Sequence, residues 1–243
     1  MIGGNKLTVS GVISGTLNPL TIGSGSSNGT VVLSGTNTYT GATTVSGGTL
    51  AVNGSLASAS SVTVQSGGTL QGSGSIGGSV TIQNGGKLAT GNSIESLATG
   101  ALSLQALATF AQEINNDAAA TVAGDLTAVT GNLTLDLANT AILTLTELGS
   151  GSWSANEKLT LISYSGTWNG GLFNYGGTLA DDSTINFSGA TWQFNYNDTV
   201  AGSNYTSDLT GTSFVTMTVI PEPNVAALLG GLGTLLLLRR RRY

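Results

Sequence analysis

Short runs in which apolar and polar residues alternate recur along the first hundred residues, and glycines separate them. Val62–Val64 and Val80–Ile82 both read apolar-Thr-apolar. Because successive side chains of a β-strand point to opposite faces, each run places two apolar side chains on one face of a short strand. Gly67-Gly68 permits a tight bend, since glycine tolerates positive φ, and Thr69-Leu70 begins another strand. The pattern predicts short strands joined by glycine turns.

The same pattern returns at a fixed interval. Residues 62–70 recur as residues 80–88, eighteen positions later, and a partial copy occupies residues 45–50. Ile76 and Ile94 keep the same interval. Three short strands and three turns in such a length form one coil of a β-solenoid, in which equivalent apolar residues stack from coil to coil. The alternative, a disordered linker rich in glycine, serine and threonine, predicts no fixed interval of apolar residues.

One stretch resembles a known repeat. Residues 33–50 read Leu-Ser-Gly-Thr-Asn-Thr-Tyr-Thr-Gly-Ala-Thr-Thr-Val-Ser-Gly-Gly-Thr-Leu. This sequence closely resembles the autotransporter-associated β-strand repeat of bacterial surface proteins, with Ala42 where glycine is often found. The resemblance covers about residues 30–92 and implies a right-handed parallel β-helix. Residues 11–15 are similar to the lead-in of the same repeat, so we expect the chain to begin inside a solenoid.

The later part of the chain changes in character. Residues 97–147 keep strand-like alternation with longer apolar runs, so we expect a solenoid over residues 1–149 whose last coils are larger. Twelve of the 14 aromatic residues lie beyond residue 150. An open last coil exposes apolar side chains and a free strand edge, so we expect residues 150–219 to form an aromatic-rich β cap. Aromatic rings also stack on sugars, which leaves a glycan site at Trp153, Trp168 and Trp192 as the alternative.

The C-terminal residues combine three unlike elements. Pro221-Glu222-Pro223 is followed by an apolar stretch at residues 225–238 and by four arginines at residues 239–242. As a helix, the 14 apolar residues would be about 21 Å long, against about 30 Å for a bilayer core. A strained membrane span is therefore feasible, with the arginines in the cytoplasm and the solenoid outside. A buried core helix is the alternative, but the adjacent arginines would be hard to place.

Residues 220–243 closely resemble the PEP-CTERM sorting signal. The resemblance implies recognition by an exosortase, an integral-membrane cysteine transpeptidase that cleaves near the prolines. On this resemblance the recognised residues are Pro221, Glu222 and Pro223, and the stop-transfer and retention signal is Arg239, Arg240, Arg241 and Arg242. It also implies a link to exopolysaccharide and biofilm matrix. We expect transient anchoring in the inner membrane, followed by a cell-surface or extracellular location.

We expect no secretory signal peptide in the first residues of this chain. Met1–Lys6 lacks the apolar segment of a secretory signal peptide, so we expect a longer natural precursor.

Composition narrows the possible chemistry. The chain has no cysteine and no histidine, which excludes disulfides, thiolate zinc sites, imidazole ligands and Ser-His-Asp triads. Residues 1–220 hold 3 lysines and 11 carboxylates, so no basic patch offers a nucleic-acid surface. Asp181-Asp182 is the one adjacent carboxylate pair, expected in a solvated loop, and Asp136 is expected to face outward from a strand. We expect no catalytic residue, metal or cofactor.

These observations lead to one functional hypothesis with alternatives. The sequence predicts a non-enzymatic bacterial surface or extracellular-matrix protein with a structural or adhesive role, processed by an exosortase. The first alternative is a glycan-binding adhesin with an aromatic site after residue 150, and the less favoured one is a polysaccharide-cleaving β-helix enzyme. An ice-binding solenoid would need Thr-x-Thr pairs at coil spacing, and the pairs at residues 144–146 and 216–218 do not repeat.

Overall fold

The computed structural model describes residues 5–24, 28–91, 93–117, 124–203 and 211–221. These residues form 23 strands and no helix. In chain order the strands are β1 Lys6–Val9, β2 Leu20–Ile22, β3 Thr30–Leu33, β4 Thr43–Val45, β5 Gly48–Val52, β6 Ser55–Leu56, β7 Val62–Val64, β8 Gly68–Gln71, β9 Ser75–Ile76, β10 Val80–Ile82, β11 Lys87–Ala89, β12 Ser96–Thr99, β13 Leu102–Leu104, β14 Thr109–Ile114, β15 Leu126–Val129, β16 Leu133–Leu135, β17 Ala141–Glu147, β18 Lys158–Tyr164, β19 Phe173–Asn174, β20 Thr178–Leu179, β21 Thr184–Phe187, β22 Ala190–Asp198 and β23 Ser213–Val219.

The strands form three sheets that the chain visits in turn. A nine-stranded sheet has the order β1-β3-β5-β8-β11-β14-β17-β19-β20, a six-stranded sheet the order β16-β13-β10-β7-β4-β2, and an eight-stranded sheet the order β21-β22-β23-β18-β15-β12-β9-β6. One coil takes β7, β8 and β9 from three different sheets, and each pairs in parallel with the next coil. The predicted all-β class and stacked parallel coils are confirmed.

Apolar residues stack in register inside the coils. Val62 pairs with Val80 and Leu70 with Leu88, as the repeat interval predicts. The longest interior column follows the nine-stranded sheet through Leu7, Val31, Leu50, Leu70, Leu88, Phe110 and Leu143. Full burial stabilises such a side chain by about 1.5–3 kcal/mol. The core is therefore a set of columns that run along the solenoid axis.

The predicted stacking of Ile76 on Ile94 is wrong. Ile76 pairs instead with Thr99 of β12. The reason is a longer coil: Val80 pairs onward with Leu102, whereas Val62 pairs with Val80. The additional residues lie before β12 and place Ile94 in a bend.

Glycines allow neighbouring coils to approach closely at one corner. A Cβ on Gly54 would lie 2.2 Å from the carbonyl oxygen of Gly35, and one on Gly74 would lie 2.1 Å from that of Gly54. A Cβ on Gly35 would lie 2.5 Å from the carbonyl oxygen of Gly11. These glycines stack from coil to coil because a side chain would not fit between the backbones.

The parallel ladder continues past residue 149. β18 pairs in parallel with β15, and β19 pairs in parallel with β17. Antiparallel pairing then begins: β23 lies beside β18, and β22 lies between β21 and β23. The residues from 165 to 221 that the structure describes are called the aromatic end.

The two ends of the stack differ. At the aromatic end Phe173 stacks on Phe110 of the long interior column, with ring centroids 5.5 Å apart, and Phe194 and Tyr196 pack on Phe173. Residues 5–24, the open end, contain β1 and β2, which lie at the edges of their sheets. There Leu7, at the end of the same column, is 60 % exposed.

Candidate functional site

Two of the three candidate tryptophans touch each other. Trp153 meets Trp192 edge-on, with centroids 4.9 Å apart. Trp192 is fully buried, and its Nε1 donates to the carbonyl oxygen of Phe187 at 3.1 Å. A ring without exposed surface offers no face for a sugar, so Trp192 is part of the core.

Trp153 is half-buried and makes a hydrogen bond in addition to its ring contact with Trp192. Its Nε1 donates to the Ser188 hydroxyl at 3.1 Å, and that hydroxyl donates in turn to Glu147. The link ties β17 to the turn between β21 and β22. The indole N–H is therefore already engaged inside the protein.

Trp168 contacts a different ring. It stacks on Tyr196 with centroids 5.0 Å apart and planes 6° apart, and its Nε1 donates to the Gly171 carbonyl oxygen at 2.7 Å. Tyr196 is buried and donates its hydroxyl to the Leu179 carbonyl oxygen at 2.8 Å. One face of the half-buried Trp168 is thus covered by protein.

The last residues that the structure describes lie beside Trp153. A shallow groove there is lined by Trp153, Ala155, Gly189, Ala190, Thr191, Val219, Ile220 and Pro221. Ile220 donates its N–H to the Thr191 carbonyl oxygen at 2.8 Å, and Pro221 is exposed. The first proline of the predicted sorting motif therefore stands at the surface of the aromatic end.

The rest of the predicted sorting signal lies outside the described residues. This concerns Glu222, Pro223, the expected helix at residues 225–238 and the arginines at residues 239–242. Across the described part of the chain, none of the elements is a helix with the length and apolar character for a membrane crossing.

The adjacent carboxylates Asp181 and Asp182 hold a turn. Asp181 accepts the N–H of Tyr196 at 2.9 Å. Asp182 accepts the side-chain amides of Gln193 at 3.3 Å and Asn195 at 3.2 Å. Both residues are exposed between β20 and β21, which agrees with the expected solvated loop.

The expectation that Asp136 lies on a strand is wrong, because β16 ends at Leu135. Asp136 follows β16 and accepts both the N–H of Thr140 at 3.1 Å and its hydroxyl at 2.5 Å. The hydroxyl of Thr140 lowers the pKa of Asp136. Leu137 is 70 % exposed, so the inward alternation of this segment ends at Leu135.

Asp125 is a buried carboxylate that sequence reasoning missed. Its two oxygens accept the N–H groups of Glu95 at 2.9 Å and Glu113 at 2.8 Å. Burial raises its pKa to about 8, against the lowering effect of these hydrogen bonds. Glu95 and Glu113 lie in successive coils, so Asp125 joins the backbones of two coils. The local sequence gives no sign of this burial, because a glycine followed by an aspartate is typical of a turn.

A polar network lies near this joint in the interior. Gln112 donates to the Thr90 hydroxyl at 3.1 Å, which is 3.0 Å from the Thr127 hydroxyl. The Oε1 atom of Gln112 and the Oε2 atom of Glu113 are buried without a partner. Among the described residues, no three carboxylates are arranged to hold a metal ion.

A rank of hydroxyl groups crosses the outside of the six-stranded sheet. One residue from the centre of each strand pairs in register with the next: Thr21, Thr44, Thr63, Thr81, Ser103 and Thr134. Thr-x-Thr pairs in the sequence do not reveal this rank, because each strand contributes a single outward hydroxyl. It is an uncharged and regular surface.

Comparison with known protein families supports one of the two resemblances found in the sequence, that of the repeat. Residues 26–52 match the family model of the passenger-associated-transport-repeat. The match covers β3 to β5 and confirms an autotransporter-associated repeat in this segment. No curated protein matches the chain. A repeat of this kind indicates a surface-exported β-repeat protein.

Proposed function

We propose that this chain is a non-enzymatic structural or adhesive protein of the bacterial cell surface or extracellular matrix. The observation that carries the proposal is the unbroken interior column from Leu7 to Phe173, because it makes the stacked coils one stiff body. The antiparallel strands of the aromatic end act as its cap. The outward rank of hydroxyls gives the body a neutral, hydrated side.

The chemistry of the described residues supports a role without catalysis. Asp136, Asp181 and Asp182 each hold a turn through hydrogen bonds, and Asp125 is buried. A glycoside-cleaving site needs two carboxylates on either side of an open groove. The groove beside Trp153 contains no carboxylate.

We further propose that residues 220–243 are a sorting signal processed by an exosortase. The exposed position of Pro221 at the end of β23 supports this, because a processing enzyme must reach the chain outside the folded body. In this proposal residues 225–238 anchor the protein in the inner membrane until cleavage. The released body then joins the surface or an exopolysaccharide matrix.

The mass of the mature C-terminus in cells that express the protein tests this proposal. A peptide that ends near residues 221–223 is expected. Replacing Pro221, Glu222 and Pro223 by alanine should leave residues 239–243 on a membrane-bound form, whereas the matched change Asn186→Ala should not. Persistence of residues 239–243 in the unaltered protein would overturn processing and leave an anchored solenoid.

A glycan-binding adhesin is the second candidate, since Trp153 and Trp168 keep part of their rings accessible. Binding of the purified protein to a glycan array, lost in Trp153→Ala or Trp168→Ala and kept in Leu137→Ala, would favour it. A folded protein that binds no glycan favours the structural role.

A further inference from the structure

A second polar column lies beside the hydroxyl rank of the six-stranded sheet. The parallel ladder continues for one residue beyond β4, β7, β10 and β13, because the N–H of each following residue donates to the preceding coil at 2.8 or 2.9 Å. These residues are Ser46, Gln65, Gln83 and Gln105. Residues two apart on a strand share a face, so the column runs beside the rank. The Ser46 hydroxyl donates to Oε1 of Gln65 at 2.8 Å, which confirms that the members of the column meet. The rank and the column together are called the polar strip.

The polar strip is uncharged, and most of its side chains have no partner within the protein. None of the residues in the six strands or in the column carries a charge. In the part of the chain that the structure describes, the hydroxyls of Thr63, Thr81 and Ser103 make no hydrogen bond to protein. The same is true, within the described ranges, of the side-chain amides of Gln83 and Gln105. The strip therefore presents free donors and free acceptors side by side.

The other two sheets present no equivalent surface in the described residues. On the nine-stranded sheet, Lys6 and Lys87 interrupt the outward column that contains Thr69. On the eight-stranded sheet, the outward column includes Ala128 and Ser163, which are 7 % and 0 % exposed. Gly211 donates its N–H to the Ser163 hydroxyl at 2.9 Å, so later residues of the chain cover that side.

The dimensions of the strip suit one polymer chain better than a folded protein. Six strands stacked at about 4.8 Å give a length of about 24 Å, and two positions along a strand give a width of about 7 Å. The resulting area of about 170 Å² is well below the ~800 Å² that each partner buries in a stable protein interface. A single extended chain that lies across the strands would use the whole strip.

The charge of the molecule selects the kind of chain. Residues 1–220 hold 3 lysines and 11 carboxylates, and no carboxylate belongs to the strip. A second copy of this chain or an anionic polymer would be repelled by that net charge, whereas a neutral polymer would not.

We propose that the polar strip binds a neutral, extended polysaccharide, with the sugar chain parallel to the solenoid axis. Sugar hydroxyls both donate and accept hydrogen bonds, so they match the hydroxyls and amides of the strip. The threonine methyl groups provide small apolar contacts for the C–H faces of the sugar rings. This inference rests on the surface or matrix role proposed above and gives that role a partner.

Affinity electrophoresis of the purified full chain tests the proposal. The gels contain increasing amounts of hydroxyethyl cellulose, a neutral polymer with an extended β-linked backbone, and the retardation gives a dissociation constant. Thr63→Val combined with Thr81→Val removes two hydroxyls of the rank and keeps β-branched side chains of the same shape. This double variant should raise the dissociation constant about tenfold, because two hydrogen bonds to the sugar are lost.

The matched control is Thr49→Val combined with Thr69→Val. These threonines pair with each other on the nine-stranded sheet, and Thr69 belongs to the same coil as Thr63. The control makes the same chemical change on a different face and should leave the dissociation constant unchanged. Circular dichroism shows whether both double variants keep the fold of the unaltered protein.

Four results would overturn the proposal. They are no retardation of the unaltered protein, equal retardation of the unaltered protein and the Thr63/Thr81 variant, equal weakening by both double variants, and self-association that only the Thr63/Thr81 variant abolishes. The last result would make a second copy the occupant of the strip. Loss of retardation in Trp153→Ala or Trp168→Ala, with no response to Thr63/Thr81, would place the sugar at the aromatic end instead.

The proposed location is tested separately, by fractionation of cells that express the protein. A surface protein that ignores the polymer overturns this inference and leaves the structural role in place. A protein that binds the polymer through the strip but stays inside the cell overturns the surface role instead.

Discussion

Within the described residues, the open end and the aromatic end differ in how they cover the same columns of residues. At the open end the column stops at Leu7, which remains 60 % exposed. At the other end Phe173 covers the column and is itself fully buried. Each further parallel strand in a sheet requires a long crossover, which here is a full turn of the chain. The aromatic end differs because β21, β22 and β23 pair antiparallel, and two residues join β21 to β22. The pairing thus changes from parallel to antiparallel at one end of the described stack and stays parallel at the other.

The largest expected effect distinguishes the two ends directly. Trp192→Ala should lower the free energy of unfolding by about 3–5 kcal/mol, because it leaves a cavity under a fully buried ring. Leu7→Ala should lower it by less than about 1 kcal/mol, since most of that side chain is already in water. Urea unfolding monitored by circular dichroism measures both. Equal losses would contradict the contrast between the ends.

The middle coils should not tolerate added volume where their glycines stack. Gly54→Ala should cost about 1–3 kcal/mol or more, because its Cβ would lie 2.2 Å from the Gly35 carbonyl oxygen. Gly177→Ala is the matched control, as a Cβ there meets no atom within 4 Å. The same unfolding experiment compares them. A tolerated Gly54→Ala would show that neighbouring coils can separate at this corner.

The buried Asp125, which joins the backbones of two coils, should make the free energy of unfolding depend on pH between about 4 and 8. Its folded pKa of about 8 lies above the ordinary value of 3.8, so its contribution is fully present below pH 4 and is lost as the pH rises towards 8. The free energy of unfolding should therefore fall as the pH rises through that window. Asp125→Asn should flatten this part of the stability curve, although the variant also gives up one acceptor for the two backbone N–H groups.

Asp136→Asn is the control for that experiment. The pKa of Asp136 is lowered, so its contribution is present above the ordinary value and is lost only as the pH falls below about 4. Asp136→Asn should therefore leave the pH dependence of the free energy of unfolding unchanged between pH 5 and 8. An identical pH profile for wild type and Asp125→Asn would exclude a role for Asp125.

The smallest expected effect comes from the ion pair near the aromatic end. Lys158 and Asp198 lie 2.6 Å apart with side chains 26 % and 17 % exposed. Lys158→Met should lower the free energy of unfolding by less than about 1 kcal/mol, because solvent screens such pairs. A loss as large as that of Trp192→Ala would mean that charge, and not aromatic packing, closes this end.

Sequence reasoning was most successful where the chain repeats itself. The coil at residues 62–76 was predicted strand by strand, and Gly67 has the positive φ of 81° that its turn needs. The stacking of Val62 on Val80 followed from the interval alone. Local pattern and global fold agree in this region, so short-range information was sufficient.

Features that depend on distant residues could not be predicted. The displacement of Ile94 follows from a longer coil, and the burial of Asp125 follows from backbone groups 12 and 30 positions away. The antiparallel strands decide how deeply each tryptophan is buried: Trp192 is fully buried, whereas Trp153 and Trp168 are half-buried. No short window of sequence contains that information.

The coil formed by residues 62–79 has a consequence for how such a protein changes over generations. Its strands enter and leave in the same register as those of the neighbouring coils, since Val45, Val64 and Ile82 occupy one column. Loss or duplication of this unit would therefore shorten or lengthen the body by one strand spacing, about 4.8 Å, and leave similar neighbours in contact. Recombination between repeats can therefore adjust the length of the solenoid in small steps, while the core of each coil stays the same.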